Sequence, residues 1–155
     1  MHPSVTRVQE ALADAGLSTT VRVLDAPTPT ALAAATLLGC DVGAIANSLV
    51  FTADDVPILV MTSGAHRIDT SVLAENIGAQ HIGRATPDQV RDTTGQPIGG
   101  VAPVGHPSPM RTYIDVALRE YDELWAAGGI PASLFGITYD DLVRVTNGTE
   151  VAVSR

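Results

Sequence analysis

The sequence predicts a mixed α/β (α+β) fold, with a central mixed, barrel-like β-sheet surrounded by helices. Three observations predict it. Short helical and strand patterns are interleaved irregularly. Two neighbouring apolar runs read as an antiparallel hairpin. No regular strand–helix–strand series with a phosphate-binding loop occurs. The 155 residues fit one domain over 1–155, a size that buries roughly 70% of the unfolded surface. Hydrophobic residues make up 45% and charged residues 17%, a globular composition. Aromatics are 4%, so the core must be built from Val, Leu, Ile and Ala.

The elements follow in order. Residues 4–15 place Val5, Val8, Leu12 and Ala15 at helical spacing, and Gly16 stops the helix. Val21 and Val23 alternate with Thr20 and Arg22, as in a short strand. Thr28 and Pro29 supply a cap and a first-turn proline for an alanine-rich helix over 30–38, ended by Gly39. Residues 48–52 and 57–62, separated by Ala53-Asp54-Asp55-Val56, form a hairpin buried on both faces. Asp69 can cap a helix carrying Val72, Leu73 and Ile77, and Thr86-Pro87 opens another that Gly95 closes. Residues 96–109, QPIGGVAPVGHPSP, hold three glycines and four prolines. With Ile98, Val101 and Val104 among them, they read as a glycine-bearing strand and a rigid loop packed on the core. Residues 111–118 read as a strand, or a strand leading into a turn. Ala126 to Gly129 and Pro131 break the chain, 133–137 is a strand, Thr138 caps a short helix, and 150–153 is a last strand.

Charge and composition exclude several functions. The net charge is −8, so the overall field does not attract a phosphate backbone, and nucleic-acid binding would need a local patch. All nine basic residues are arginines. With no lysine, Schiff-base chemistry and a lysine phosphate anchor are excluded. Cys40 is the one cysteine, so no intrachain disulfide forms, and next to leucines it reads as structural. The start, MHPSVTRVQEAL, lacks the pattern of a signal peptide, and no apolar run reaches the roughly 20 residues of a membrane helix. The expectation is a cytoplasmic protein with no membrane partner. His2, His66, His81 and His106 have no ligand spacing for zinc, and there is no Walker loop, G-x-G-x-x-G or G-x-S-x-G.

Three segments remain as candidates. In residues 99–106 glycines allow a ligand to approach the backbone, and their amides can face an oxyanion. The alternative is a bulged strand and tight turn, with His106 a surface histidine. Asn47 and Ser48 bring polar side chains to the start of an apolar strand, where they either meet a ligand or turn the chain. Thr62-Ser63-Gly64-Ala65-His66-Arg67-Ile68-Asp69 is either a site loop or a helix cap with a solvent-facing arginine.

In order, these pieces resemble the YbaK/EbsC-like aminoacyl-tRNA deacylases, relatives of the prolyl-tRNA synthetase editing domain. Leu37-Leu38-Gly39, Ala44-Ile45-Ala46 and Asn47-Ser48-Leu49-Val50-Phe51 are similar to the first signature, and Gly99-Gly100-Val101-Ala102-Pro103-Val104-Gly105 to the second. Gly129-Ile130-Pro131 with Phe135, Thr138, Asp141-Leu142 and Thr146 resembles the C-terminal pattern. The resemblance implies hydrolysis of the ester joining a wrong amino acid to a tRNA 3′ end, without a metal or other cofactor. Water attacks the carbonyl, the glycine backbone holds the oxyanion, and a tRNA hydroxyl assists. It implies catalytic roles for Asn47, Gly99, Gly100 and Val101. Substrate contacts fall to Ser48, Ser63, Gly64, Arg67, Pro103, Gly105, His106, Arg111 and Phe135. The implied partners are the aminoacyl-tRNA 3′ end, held through a local patch, and a synthetase. One departure stands out: the family normally carries a lysine where this chain has Asn47, so Arg67 or Arg111 would have to replace its charge. A catalytically weak binding module for a nucleotide, aminoacyl-tRNA end or synthetase is the alternative. A hydrolase of another small acyl ester is a third class.

Overall fold

The structure, a computed structural model, describes residues 2–28 and 30–154. Five α-helices are seen among them: α1 Pro3–Asp14, α2 Ala31–Leu38, α3 Thr70–Ile77, α4 Pro87–Thr94 and α5 Tyr139–Thr146. Each starts on a side chain that satisfies a free amide. His2 Nδ1 accepts from Ser4, Thr30 Oγ1 from Ala33, Asp69 from Ser71 and Val72, and Thr138 from Asp141. Thr86 and Gln89 close a reciprocal capping box. The cap of α2 is therefore Thr30 and not Thr28; the expected first-turn Pro29 lies outside the described residues.

The strands are β1 Arg22–Val23, β2 Ala46–Ala53, β3 Val56–Ser63, β4 Ile82–Arg84, β5 Thr112–Asp115, β6 Leu124–Ala126, β7 Ser133–Ile137 and β8 Thr149–Val151. They form a mixed five-stranded sheet ordered β4-β2-β3-β5-β8 and an antiparallel three-stranded sheet ordered β1-β7-β6. An isolated parallel bridge between Ile45 and Trp125 joins the two sheets. The β2–β3 hairpin turns on Asp54 (φ 49°) and Asp55 (φ 70°), both left-handed, as a two-residue primed turn requires. The Asp54 carboxylate accepts from the Gln80 and His81 amides and so ties this turn to the entry of β4.

The hairpin is buried on both faces, as its unbroken apolar runs require. Leu59 and Met61 of β3 enter the larger core with Val8, Leu12, Ile114, Leu118, Phe135 and Leu142. Ile58 and Val60 face the other way, with Phe51, Leu73, Ile82 and Tyr113. A third cluster (Ala34, Ala35, Ile45 and Leu134) fastens α2 to the junction of the two sheets.

One local expectation is corrected. Residues 96–109 contain no strand: they form a turn and an irregular loop whose polar groups are satisfied by a side chain, not a ladder. The three-residue strands β4 and β6 are too short to leave a sequence pattern. Residues 111–118 follow the second of their two readings, a strand leading into a turn: Asp115 ends β5 and caps a 3-10 turn over Val116–Glu120.

Candidate active site

A cleft of about 300 Å³, within the range of small-ligand sites, opens where the two sheets meet. Thr30, the cap of α2, forms one wall with Ala31 and Ala34 of that helix, and Ile98, Gly99 and Val101 form another. Pro131, Ser133 and Leu134 close the side toward β7, and residues 45–49 form the floor.

The floor is an open strand edge. The Val50 carbonyl accepts from Ala85, and the Asp54 amide donates to His81. The even-numbered residues of β2 therefore direct their backbone groups to this edge. β4 covers it at Phe51–Ala53, and β6 meets it at Ile45 through the isolated bridge. Between these contacts the N–H and C=O of Ser48 face the cleft with no described strand against them. Asn47 is partly buried, and its side-chain amide makes no hydrogen bond to a described residue. The Ser48 hydroxyl is already engaged, donating to Met61 Sδ at 3.0 Å.

The wall of residues 97–105 is built around Gln96, whose side chain is fully buried. Its Oε1 accepts from the Ala102 amide at 2.7 Å, and its Nε2 donates to the Val104 carbonyl at 3.1 Å. Thr94 Oγ1 accepts from the Gln96 amide and fixes the start of the segment. The Gly100 amide donates to the Pro97 carbonyl at 2.9 Å, closing a tight turn. Of the four amides from Gly99 to Ala102, those of Gly99 and Val101 are left without an acceptor among the described residues. Gly99 has φ +84°, which favours glycine, and open space where a Cβ would stand. Gly100 is glycine for another reason: a Cβ there would lie 2.4 Å from the Ile130 carbonyl carbon. That contact presses the turn onto the connection between β6 and β7.

The cleft continues into a narrow extension of about 60 Å³. It shares Ser48, Leu49, Ile98 and Val101 with the main cleft and adds Val50, Phe51, Arg84, Ala85 and Val90. Among the described residues, no Asp, Glu or His lines either part, and Arg84 is the one charged residue that does. None of these described lining side chains can serve as a general base.

Asn47, Ser48, Gly99 and Val101 thus come together from segments some fifty residues apart. Other expected site residues do not. Gly100 is adjacent, but its amide is committed to Pro97, which removes it from the oxyanion-binding set. Pro103, Gly105 and His106 line a separate recess of about 370 Å³ beside Val145 and Thr146. There, His106 Nε2–H donates to the Ala102 carbonyl at 2.8 Å, and burial pushes its pKa below the ordinary 6.5. Ser63 is buried: its hydroxyl donates to the Gly43 carbonyl and its amide to Asp115. Gly64 packs against the Val42 carbonyl and Ala31, where a Cβ would not fit. Arg67 is exposed on the loop after β3, outside the cleft lining, and Arg111 lines recesses beside Tyr113. Neither arginine replaces a charge at Asn47. Phe135 is fully buried in the larger core, and its neighbour Leu134 lines the cleft instead.

Sequence reasoning missed Gln96, Thr30 and Arg84. Thr30 carried a usable signal, a threonine before an alanine-rich helix. Gln96 and Arg84 carried none, because only tertiary packing buries one and brings the other to the cleft.

Known proteins match most of the chain. The Aminoacyl-tRNA editing domain family matches residues 25–145. A crystal structure described as a candidate trans-editing enzyme for prolyl tRNA synthetase superposes with a TM-score of 0.93 at 40% identity, covering 100% of this chain and 99% of that one. YwhH of Bacillus subtilis (strain 168) is 31% identical over 110 residues, 70% of this chain and 69% of its own. A proline–tRNA ligase of Nitratidesulfovibrio vulgaris (strain DP4) is 33% identical over 91 residues, 59% of this chain but 16% of the ligase. The chain therefore spans a small part of the curated ligases it matches.

Proposed function

The chain belongs to the aminoacyl-tRNA editing domain family, and on that premise we propose that it is a trans-editing deacylase. It hydrolyses the ester between a wrong amino acid and the 3′ end of a tRNA, alongside prolyl-tRNA synthetase. The observation that carries this reading is the set of unused hydrogen-bonding groups around one small, mostly apolar cleft. These are the Gly99 and Val101 amides, the Ser48 backbone groups and the Asn47 side chain. The likeness along its whole length to a chain described as a candidate trans-editing enzyme for prolyl tRNA synthetase supports the assignment to mischarged tRNA for proline.

The cleft suits stabilisation of a developing oxyanion by fixed donors rather than side-chain acid–base chemistry. Water adds to the ester carbonyl carbon, and charge grows on the carbonyl oxygen near the Gly99 and Val101 amides. The carbon–oxygen bond to the ribose then breaks, and the ribose oxygen takes the proton the water gives up. With no Asp, Glu or His among the described lining residues, that proton moves through a second water or a neighbouring hydroxyl of the substrate itself. Asn47 orients the ester or the terminal ribose.

The test is amino-acid release from a panel of mischarged tRNAs, including mischarged tRNA for proline. Wild type should deacylate at least one member. Asn47→Ala should slow that reaction roughly ten- to a thousandfold, the scale for losing one positioned donor, with an unchanged circular dichroism spectrum. The missing side-chain base favours a second reading, a module that binds the aminoacyl end without cleaving it. Binding of the panel without release would select it.

A further inference from the structure

The wild-type charge balance and the lining of the cleft point in opposite directions. The chain carries 17 acidic residues against 9 basic ones, yet among the described residues no carboxylate lines the cleft or its extension. Carboxylates exclude anions, and the net charge of −8 works against binding one anywhere on the surface. A cleft free of acidic groups with one arginine beside it is the local exception. Arg84 ends β4 opposite Phe51 of β2, in the part of the extension that lies beyond the main cleft. It is exposed, and it makes no ion pair or hydrogen bond through its side chain among the described residues. Arg144 pairs with Asp141 and with the Ala15 carbonyl, Arg22 lies over Trp125, and Arg119 lies over Tyr139; Arg67, Arg91 and Arg111 stand outside the lining of the cleft and its extension.

We propose that Arg84 anchors a phosphodiester of the 3′-terminal nucleotides while the aminoacyl ester sits in the main cleft. The inference rests on the proposed deacylase reading and adds to it the place where the nucleic acid enters. The extension around Arg84 is apolar, from Leu49, Phe51, Val90, Ile98 and Val101. Ile98 is 57% exposed, a large hydrophobic side chain left in solvent at the junction of the two spaces. Such a surface accepts the face of a nucleoside, and a guanidinium beside it supplies two parallel donors to a phosphate. The charge that the chain lacks at Asn47 is thereby provided from β4, the strand next to β2 in the sheet.

The experiment is a binding titration with a short RNA ending in CCA, its terminal ribose carrying alanine through a non-hydrolysable amide. It is repeated at several salt concentrations for wild type, Arg84→Gln and Arg84→Lys. Arg84→Gln should weaken binding about tenfold, and the slope of log K against log salt should fall by about 0.7, the value for one single-strand phosphate contact. Arg84→Lys should keep the slope and most of the affinity. The proposal is overturned if wild type does not bind the probe, or if Arg84→Gln matches wild type in affinity and slope. The outcome is separable from that of the hydrolase reading. Wild type that binds through Arg84 but releases no amino acid from the tRNA panel leaves this anchor standing and removes the enzyme. Hydrolysis with an unaffected Arg84→Gln does the reverse.

Discussion

At the scale of single residues, the site depends on a side chain that never touches it. Gln96 is fully buried and uses both ends of its amide, one on the Ala102 N–H and one on the Val104 carbonyl. A buried polar group without a partner costs about 1–3 kcal/mol. Gln96→Leu keeps the volume but orphans two backbone groups, so it should destabilise the protein by about 3 kcal/mol. A lower urea midpoint checks this, and deacylation should fall with it because Gly99 and Val101 lose their fixed positions. Gly99 and Gly100 look alike in sequence but serve different ends. The first needs a positive φ and leaves its amide free; the second needs the absence of a Cβ against Ile130 and spends its amide on Pro97. Asn47 and Ser48 were legible as unusual polar residues at a strand start: Ser48 turns its backbone to a stretch of edge that no described strand covers, while Asn47, whose backbone pairs with Thr62 of β3, brings its side chain to the cleft lining.

At the scale of elements, that edge is the feature a substrate would meet. β4 stops opposite Phe51, and the bridge to β6 sits at Ile45, so Ser48 lies in the gap with its backbone outward. Proline is tolerated on an edge strand where its missing N–H faces away from the ladder. Ser48→Pro should therefore remain folded, with a far-ultraviolet spectrum and melting temperature near those of wild type. If the Ser48 amide contacts the ester, kcat/KM should drop roughly ten- to a thousandfold. Ser48→Ala removes only the hydroxyl that bonds Met61 Sδ, and it should retain activity within about threefold, since a neutral hydrogen bond contributes about 0.5–1.5 kcal/mol. Equal rates in Ser48→Pro and wild type would exclude the edge from the reaction. The hairpin itself was legible because two apolar runs flank a two-residue aspartate turn. β4 and β6 were not: three residues cannot express a periodicity, and they exist only because β2 and β7 offer them a partner.

At the scale of the whole molecule, the long loop after α4 docks back onto the rest of the chain. Gly105 approaches the Val8 backbone of α1 so closely that a Cβ would lie 3.2 Å from it. His106 sits in the same stretch and holds the Ala102 carbonyl through Nε2–H. Burial lowers the His106 pKa in the fold, so the unfolded chain binds a proton more readily than the folded one. The sign follows: this contribution is complete above the ordinary histidine value of 6.5 and is lost as pH falls from there toward the lower folded-state value. Wild type should lose more stability than His106→Gln between pH 7.5 and pH 5.5, measured by urea unfolding. A pH dependence identical in the two proteins would show that His106 does not titrate with the loop.

The sequence by itself determined the mixed architecture, the helix caps at Asp69, Thr86 and Thr138, the doubly buried hairpin and the two segments that meet in the cleft. These are local properties: capping side chains, turn geometry and apolar runs act over a few residues, and a short stretch of chain displays them. Only the tertiary structure decided which members of each segment face the cleft. It withdrew Ser63, Gly64 and Phe135 into packing, moved Pro103, Gly105, His106 and Arg111 to other recesses, left Arg67 on the surface and brought Arg84 to the rim. The reason is that burial, the spending of each backbone amide and the distance between side chains are set by contacts between residues far apart in sequence. Val101 meets Asn47 only because β2 and the loop after α4 close on each other, and Gln96 is buried only because that loop folds around it.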